Sequence, residues 1–414
     1  MTERRQRYDL YLNTAATGIT RAAEIVLLEH NGRLTEAAFR YTPDYLAMPS
    51  AFSLDPVQAP LTPNTYGYNC QMGPPGLIDD YLPDDWGRRV LAHLSLYQRR
   101  AEYHASSVIN TLDMLGGSRV GAISIVPRDK APCYELGADI AQLEKAEQAA
   151  QQVDSGDYAE LSVDEASMLY LANNGTGLGG ARPKALIYGD GCAYVAKFNR
   201  LSQDGYNNAR VEQACLRMAA KAGIRVPNTT VRAGINGREV LLVERFDINA
   251  DLSRNHLVSI HALLNEASEP RSTRLAFRYD DIHSILQHHS DCIEADSEQL
   301  LRLMLFNRMI HNVDDHERNF SLLHDGENFC LAPAYDLTPS LARGAYHIAG
   351  FGYGPMPPHP REARSLGKVF GLPKTVVSRC AEEVQAAGEQ WMEIATQSGV
   401  DEETAELLHR SYLG

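Results

Sequence analysis

The run His311-Asn312-Val313-Asp314-Asp315-His316-Glu317-Arg318-Asn319 constrains this chain more than any other segment. It directly follows a strongly apolar stretch, Leu300 to Ile310, which reads as a helix. It directly precedes Phe320-Ser321-Leu322-Leu323, a short β-like patch. Acid-rich turns are common on surfaces, but solvent exposure explains poorly one pinned between an apolar helix and an apolar strand. Polar side chains are therefore expected at a junction of packed elements, the usual setting of a site on a rigid scaffold. Asp314 and Asn319 stand five apart, D-x-x-x-x-N. That spacing supplies a carboxylate to orient and deprotonate a hydroxyl, and a neutral oxygen for magnesium one short loop away.

Three further features gain meaning from their order around this run. Gly175-Thr176-Gly177-Leu178-Gly179-Gly180 precedes a strand-like segment. Glycine-rich backbone can close around phosphate oxygens, although the stretch is neither a Walker A nor a Rossmann fingerprint and alone reads as a surface loop. Lys197 ends the next strand, Tyr194-Val195-Ala196-Lys197-Phe198, and Glu212 lies early in the following helix. Separately they are a snorkelling lysine and a solvated glutamate; in this order they match the lysine–glutamate pair of kinase-type nucleotide sites. Asp336 follows the β-like patch in Pro333-Ala334-Tyr335-Asp336-Leu337-Thr338-Pro339. By itself it would turn the chain before Pro339, but after Asp314 and Asn319 it falls where a second magnesium carboxylate arrives in kinase-like sites.

The chain reads as an α+β protein. Up to about Val126 the segments are short and mixed, broken by Pro/Gly punctuation at Pro56 to Pro63 and Met72 to Gly76. Asp84-Asp85-Trp86 opens a helix, Asp139 to Gln152 reads as another, and Val153 to Asp157 as a linker. Ser162-Val163-Asp164-Glu165 has the form of a capping box. Two hairpins follow, 185–198 around Gly189-Asp190-Gly191 and 229–246 around Ile235-Asn236-Gly237, separated by a helix from Asn208 to Ala222 that Gly223 stops. Beyond Asp247 the pattern is mostly helical. The expected division is 1–155, 156–246 and 247–414, with a strand-rich lobe preceding a helical one.

Charge narrows the function. With 39 Lys+Arg against 53 Asp+Glu, the net charge is 39 − 53 = −14, which argues against a protein that wraps nucleic acid by itself. The seven cysteines are scattered without a CxxC pair, and no apolar run approaches a membrane span. A cytoplasmic protein with free thiols and no zinc cluster is expected.

In combination these residues resemble the HipA family of toxin serine/threonine kinases. The resemblance rests on Gly179 to Lys184, Ala196-Lys197-Phe198, Val211-Glu212 through Pro227, Leu242 to Asp247, Asn312 to Asn319 and Pro333 to Leu337, and more loosely on Phe39-Arg40-Tyr41 and Asp80 to Asp85. It implies a two-lobed, protein-kinase-like fold that uses ATP with Mg2+ to phosphorylate a protein hydroxyl. In characterised members an aminoacyl-tRNA synthetase is the target, and a HipB-type helix-turn-helix antitoxin carries the toxin to operator DNA. Carried over by position, Asp314 matches the catalytic base, and Asn319 and Asp336 match the magnesium ligands. Lys197 matches the phosphate lysine and Glu212 its partner. Gly175, Thr176, Gly177, Gly179 and Gly180 match the phosphate loop, and Val243 to Phe246, with Glu244 and Phe246, the segment that meets the adenine. Many members autophosphorylate a loop serine; here Gly177 takes that position and Thr176 is the nearest hydroxyl.

Three other readings stay open on sequence alone. One is a kinase-like binding module without catalysis. A second is a small-molecule phosphotransferase. The third is a single-metal hydrolase built on Asp314, Asp315, His316 and Asp336, which would leave the glycine loop, Lys197 and Glu212 without a task.

Overall fold

A computed structural model describes residues 3–97, 104, 106–115, 120–155, 182–200, 204–265, 276–341 and 346–413. The chain groups into two compact units. The first comprises Met1–Arg200, Glu244–Arg274 and Leu323–Glu327; the second comprises Leu201–Val243, Leu275–Leu322 and Asn328–Gly414.

The first unit opens with β1 (Glu3–Thr14), β2 (Gly18–His30), β3 (Arg33–Tyr41), β4 (Tyr66–Asn69) and β5 (Ile123–Pro127), an antiparallel sheet in the order β4-β3-β2-β1-β5. The expectation of short mixed segments is corrected here, since β1, β2 and β3 run 12, 13 and 9 residues. Tyr8, Leu10 and Leu12 of β1 and Ala23, Ile25 and Leu27 of β2 are buried, and the register sets Tyr8 opposite Ile25 and Leu10 opposite Ala23. Burying each Leu or Ile contributes roughly 1.5–3 kcal/mol. Asn31 and Gly32, with φ of 52° and 72°, make the two-residue turn that pairs His30 with Arg33. A turn of this type needs left-handed backbone at both central positions, which Asn-Gly adopts readily. The alternation was obscured by the charged stretch Glu3 to Arg7 and by register shifts at Leu10/Tyr11 and Leu28/Glu29, where one extra residue reverses which face a side chain takes.

Buried polar groups fasten the sheet to its cover. Glu29 accepts from Ser107 Oγ at 2.7 Å and from the Ile109 amide at 2.9 Å. Ser107 Oγ in turn caps the helix Val108–Met114 by accepting from the Asn110 amide at 3.0 Å. Asp80 likewise accepts from both the amide and the hydroxyl of Ser259.

Asp55 carries a pH consequence. It is 1% exposed and accepts from the Val57 and Gln58 amides at 3.0 and 2.8 Å, yet burial outweighs these bonds and pushes its carboxyl up to about 7. The folded chain then binds this proton more tightly than the unfolded chain. The contribution is complete below about pH 4 and is lost as pH rises through 7. Asp55→Asn keeps an oxygen for both amides and removes the titration. Its stability relative to wild type is expected to rise between pH 5 and pH 8 by roughly 2–3 kcal/mol. Urea unfolding at the two pH values measures this, and an unchanged difference would contradict it.

Later in the first unit, β6 (Ala138–Asp139) pairs in parallel with β7 (Lys184–Gly189), and β7 forms an antiparallel hairpin with β8 (Cys192–Lys197). Asp190 and Gly191 make the turn with φ of 55° and 80°, as the Gly-Asp-Gly signal predicts. The helix expected from Asp84 spans Asp85–Tyr97, with Trp86 fully buried. The one expected from Asp139 is Leu143–Ser155, so it runs through part of the supposed linker. The capping box at 162–165 lies outside the described residues. β11 (His256–Ser259) adds a strand to the stretch beyond Asp247 expected to be mostly helical; all four of its residues are buried, so no alternation announces it.

The second unit holds the helix Asn208–Lys221, which ends where Gly223 adopts φ 79°. The hairpin of β9 (Thr229–Ala233) and β10 (Glu239–Glu244) follows, with Gly237 at φ 72° in the turn. Then come the helices Tyr279–His289 and Ile293–Met309, and, nearer the C-terminus, Lys374–Glu389 and Trp391–Gln397. The apolar helix begins at Ile293, earlier than Leu300, because its first turns mix charge with buried positions such as Asp296. β12 (Ser321–His324) and β13 (Phe329–Leu331) match the expected β-like patch. Among the described residues no helix is long and apolar enough to cross a membrane, and all seven cysteines are free.

Candidate functional site

The polar run starts from a helix end. Ile310 caps Ile293–Met309, and His311 follows with φ 55°. The Asn312 amide then reaches back to the Asn307 carbonyl at 2.9 Å. This termination normally uses glycine after the cap, because a side chain there opposes left-handed backbone. Strain is thus built into the first residue of the loop.

From there the loop is held along its length. The Ile348 amide donates to Val313 O at 3.2 Å, and the Ser340 amide to His311 O at 3.0 Å. The Asn319 side chain donates from Nδ2 to the Asp314 carbonyl at 2.7 Å, closing the D-x-x-x-x-N segment on itself. Tyr335 donates to Arg318 O at 2.9 Å and its hydroxyl lies 2.9 Å from Ser321 Oγ. The residue next to Asp336 is therefore pinned to the same loop. Asn312 Nδ2 donates to the Asp336 carbonyl at 3.4 Å. Asp336 has φ 59°, so both it and His311 hold a conformation that L-residues adopt sparingly. Such outliers cluster at functional sites.

The side chains of neighbouring residues take opposite roles. Asp314 is 70% exposed, with His316 Nε2 3.8 Å from its Oδ1. Asp315 is fully buried and accepts from Tyr279 OH, His347 Nδ1 and the Ile348 and Ala349 amides. A carboxylate offers about four lone-pair sites, and these four donors take them. Asp315 is thereby removed from any ligand set, and the hydrolase reading loses one of its four groups. Burial, with His347 and Arg308 nearby, holds the His311 ring below its usual range.

Asn319 completes the chemistry of the loop. It is 7% exposed, and its Oδ1 is buried with no hydrogen-bond partner. Leaving such an oxygen unpaired costs about 1–3 kcal/mol. Because Nδ2 is engaged by the Asp314 carbonyl, Oδ1 is the atom free to accept. A hard divalent cation takes oxygen donors of this kind, so Asn319 Oδ1 and the Asp336 carboxylate fit magnesium by type.

The remaining expected residues fall elsewhere. Gly175, Thr176, Gly177, Gly179 and Gly180 lie outside the described residues. Lys197 ends β8 in the first unit, half-buried and opposite Lys184. Glu212 is 4% exposed on the helix Asn208–Lys221 in the second unit. Glu244 and Phe246 are half-buried in the first unit, flanking Arg245, whose amide donates to Ala193 O at 2.9 Å. Burial acts against ionisation of Asp247, but the Arg245 guanidinium 2.6 Å away holds its carboxyl below the usual range. Sequence reasoning missed Tyr279, Asn307 and His347, whose partners lie dozens of residues away and leave no local pattern.

Comparison with known proteins decides the family. The model of the HipA-like C-terminal domain matches residues 176–392, more than half of the chain, and that of the HipA N-terminal domain matches residues 20–126. The chain belongs to the HipA family. HipA from a Shewanella oneidensis MR-1 toxin–antitoxin system, solved with HipB and operator DNA, shares its fold: TM-score 0.67 over 98% of this chain and 95% of that one, at 18% identity. The HipA fold is α+β, two-lobed and protein-kinase-like. Y4mE of Sinorhizobium fredii, a protein named as a kinase, is 28% identical over 56% of this chain. Toxin YjjJ of Escherichia coli is 25% identical over 63%. These matches span 57% and 58% of the two relatives' own lengths.

Proposed function

We propose that this HipA-family chain is an ATP- and magnesium-dependent protein serine/threonine kinase acting as a toxin. The observation that carries the reading is the buried, unpaired Oδ1 of Asn319 on the loop that exposes Asp314. Asn319 Oδ1 and Asp336 hold magnesium, which neutralises phosphate charge when bound with the nucleotide. Asp314, 70% exposed, accepts the proton of the incoming hydroxyl. By the family resemblance Lys197 and the glycine-rich segment are assigned to the phosphates, Glu212 to the support of the lysine, and Val243 to Phe246 to the adenine. Little covalent help is needed from the protein in such a transfer; positioning and charge do most of it.

The acceptor is a protein hydroxyl, with an aminoacyl-tRNA synthetase the leading target, and Thr176 is the loop hydroxyl available for self-modification. A HipB-like helix-turn-helix protein is the expected partner. DNA is reached through it, in keeping with the charge of −14. The site of action is the cytoplasm. Incubating the protein with γ-labelled ATP, magnesium and a cell extract is expected to label one or a few proteins. Label in no protein would support a silent binding module, and label confined to small molecules would support a metabolite phosphotransferase.

A further inference from the structure

We propose that Asp315 is a positioning residue for phosphoryl transfer: its buried carboxylate fixes Asp314 on one side and Asp336 on the other through a continuous polar relay. This rests on the kinase reading above and adds a residue that is neither the base nor a metal ligand.

The relay can be followed atom by atom. Asp315 Oδ1 accepts from the Ile348 and Ala349 amides at 2.9 and 3.1 Å. Oδ2 accepts from His347 Nδ1 at 2.8 Å and Tyr279 OH at 3.0 Å. A carboxylate can only accept, so the histidine proton sits on Nδ1. Tyr279 OH in turn accepts from Asn307 Nδ2 at 3.0 Å, and Asn307 Oδ1 accepts from Asn312 Nδ2 at 3.1 Å. Asn312 Nδ2 reaches the Asp336 carbonyl. All the side chains are buried: Asp315 and Tyr279 are 0% exposed, Asn307 2% and Asn312 3%. Burial, together with the Asp315 charge, raises the Tyr279 phenol well above its ordinary range and keeps it a donor.

Geometry makes this more than loop stability. Asp314 and Asp315 are consecutive, so anchoring one carboxylate inward aims its neighbour outward. The Ile348 amide is shared between Asp315 and Val313 O, which fixes the backbone on both sides of Asp314. The far end of the relay holds the strained Asp336. Catalysis depends on the separation of these two acids, and a misplacement of about 1 Å can cost a hundredfold in rate.

Asp315→Asn keeps an oxygen for the two amides, but the Nδ2 that replaces Oδ2 can accept from neither Tyr279 nor His347. Tyr279→Phe removes one hydroxyl and cuts the relay with little change of volume. The test uses the full chain, γ-labelled ATP and a dephosphorylated cell extract, with thermal midpoints measured alongside. For either variant, the rate at saturating ATP is expected to fall at least tenfold, while ATP affinity measured without magnesium moves less than threefold. Tyr279→Phe decides the matter if Asp315→Asn does not fold. An unchanged saturated rate in a folded variant overturns the proposal. So does a fall in rate together with ATP affinity measured without magnesium, to which Asp336 does not contribute and which a merely structural role would move. If wild type labels nothing, the kinase reading itself fails and the proposal falls with it.

Discussion

Asp314→Asn is expected to lower phosphoryl transfer by about 10²- to 10⁴-fold while leaving ATP affinity within about twofold. The side chain is 70% exposed, so little of the fold depends on it. Asn319 holds residue 314 through its backbone carbonyl, and that bond survives the substitution. The amide matches the carboxylate in shape but is a far weaker base. A loss confined to the turnover rate, with nucleotide binding preserved, is the signature of an interaction made only in the transition state. Initial rates of label transfer and calorimetric titration with ATP give the two numbers. Retained transfer in the variant would remove Asp314 from its role.

The second large effect is expected at Asp336. Asp336→Asn should weaken magnesium-dependent ATP binding on the order of tenfold or more, about 1.4 kcal/mol per decade, with no effect on binding without magnesium. The substitution is clean for a reason specific to this position. Asp336 has φ 59°, and asparagine tolerates left-handed backbone better than most residues. The Asn312 bond goes to the backbone carbonyl of residue 336, so it persists. The substitution removes the negative charge offered to a cation. Calorimetry across a magnesium series would show it, and superimposable isotherms would contradict it.

The parts of this molecule that were legible in the sequence are those written in adjacent residues. Asp190-Gly191 announced its hairpin, Gly223 ended its helix, and the run from His311 to Asn319 stood out against its apolar flanks. The N-terminal sheet was less legible, although Asn31-Gly32 carries the same turn signal. Charge on the outer face and two register shifts concealed its alternation. β11 left no trace because all four residues are buried.

The candidate site divides in the same way. Asp314, Asn319 and Asp336 could be named from spacing and order. The opposite fates of Asp314 and Asp315 could not, because nothing in Asp-Asp says which side chain turns inward. That choice is made by Tyr279 and His347, 36 and 32 residues away. Long-range hydrogen bonding decides it, and local propensity carries no information about it.

In the proposed mechanism one loop and one strained acid share a single magnesium ion with the nucleotide. A crystal structure with magnesium and a non-hydrolysable ATP analogue tests it most directly. The account predicts Asn319 Oδ1 and an Asp336 oxygen on the same ion, with Asp314 facing the terminal phosphate. Electron density placing the ion on other residues, or the nucleotide away from this loop, would contradict it.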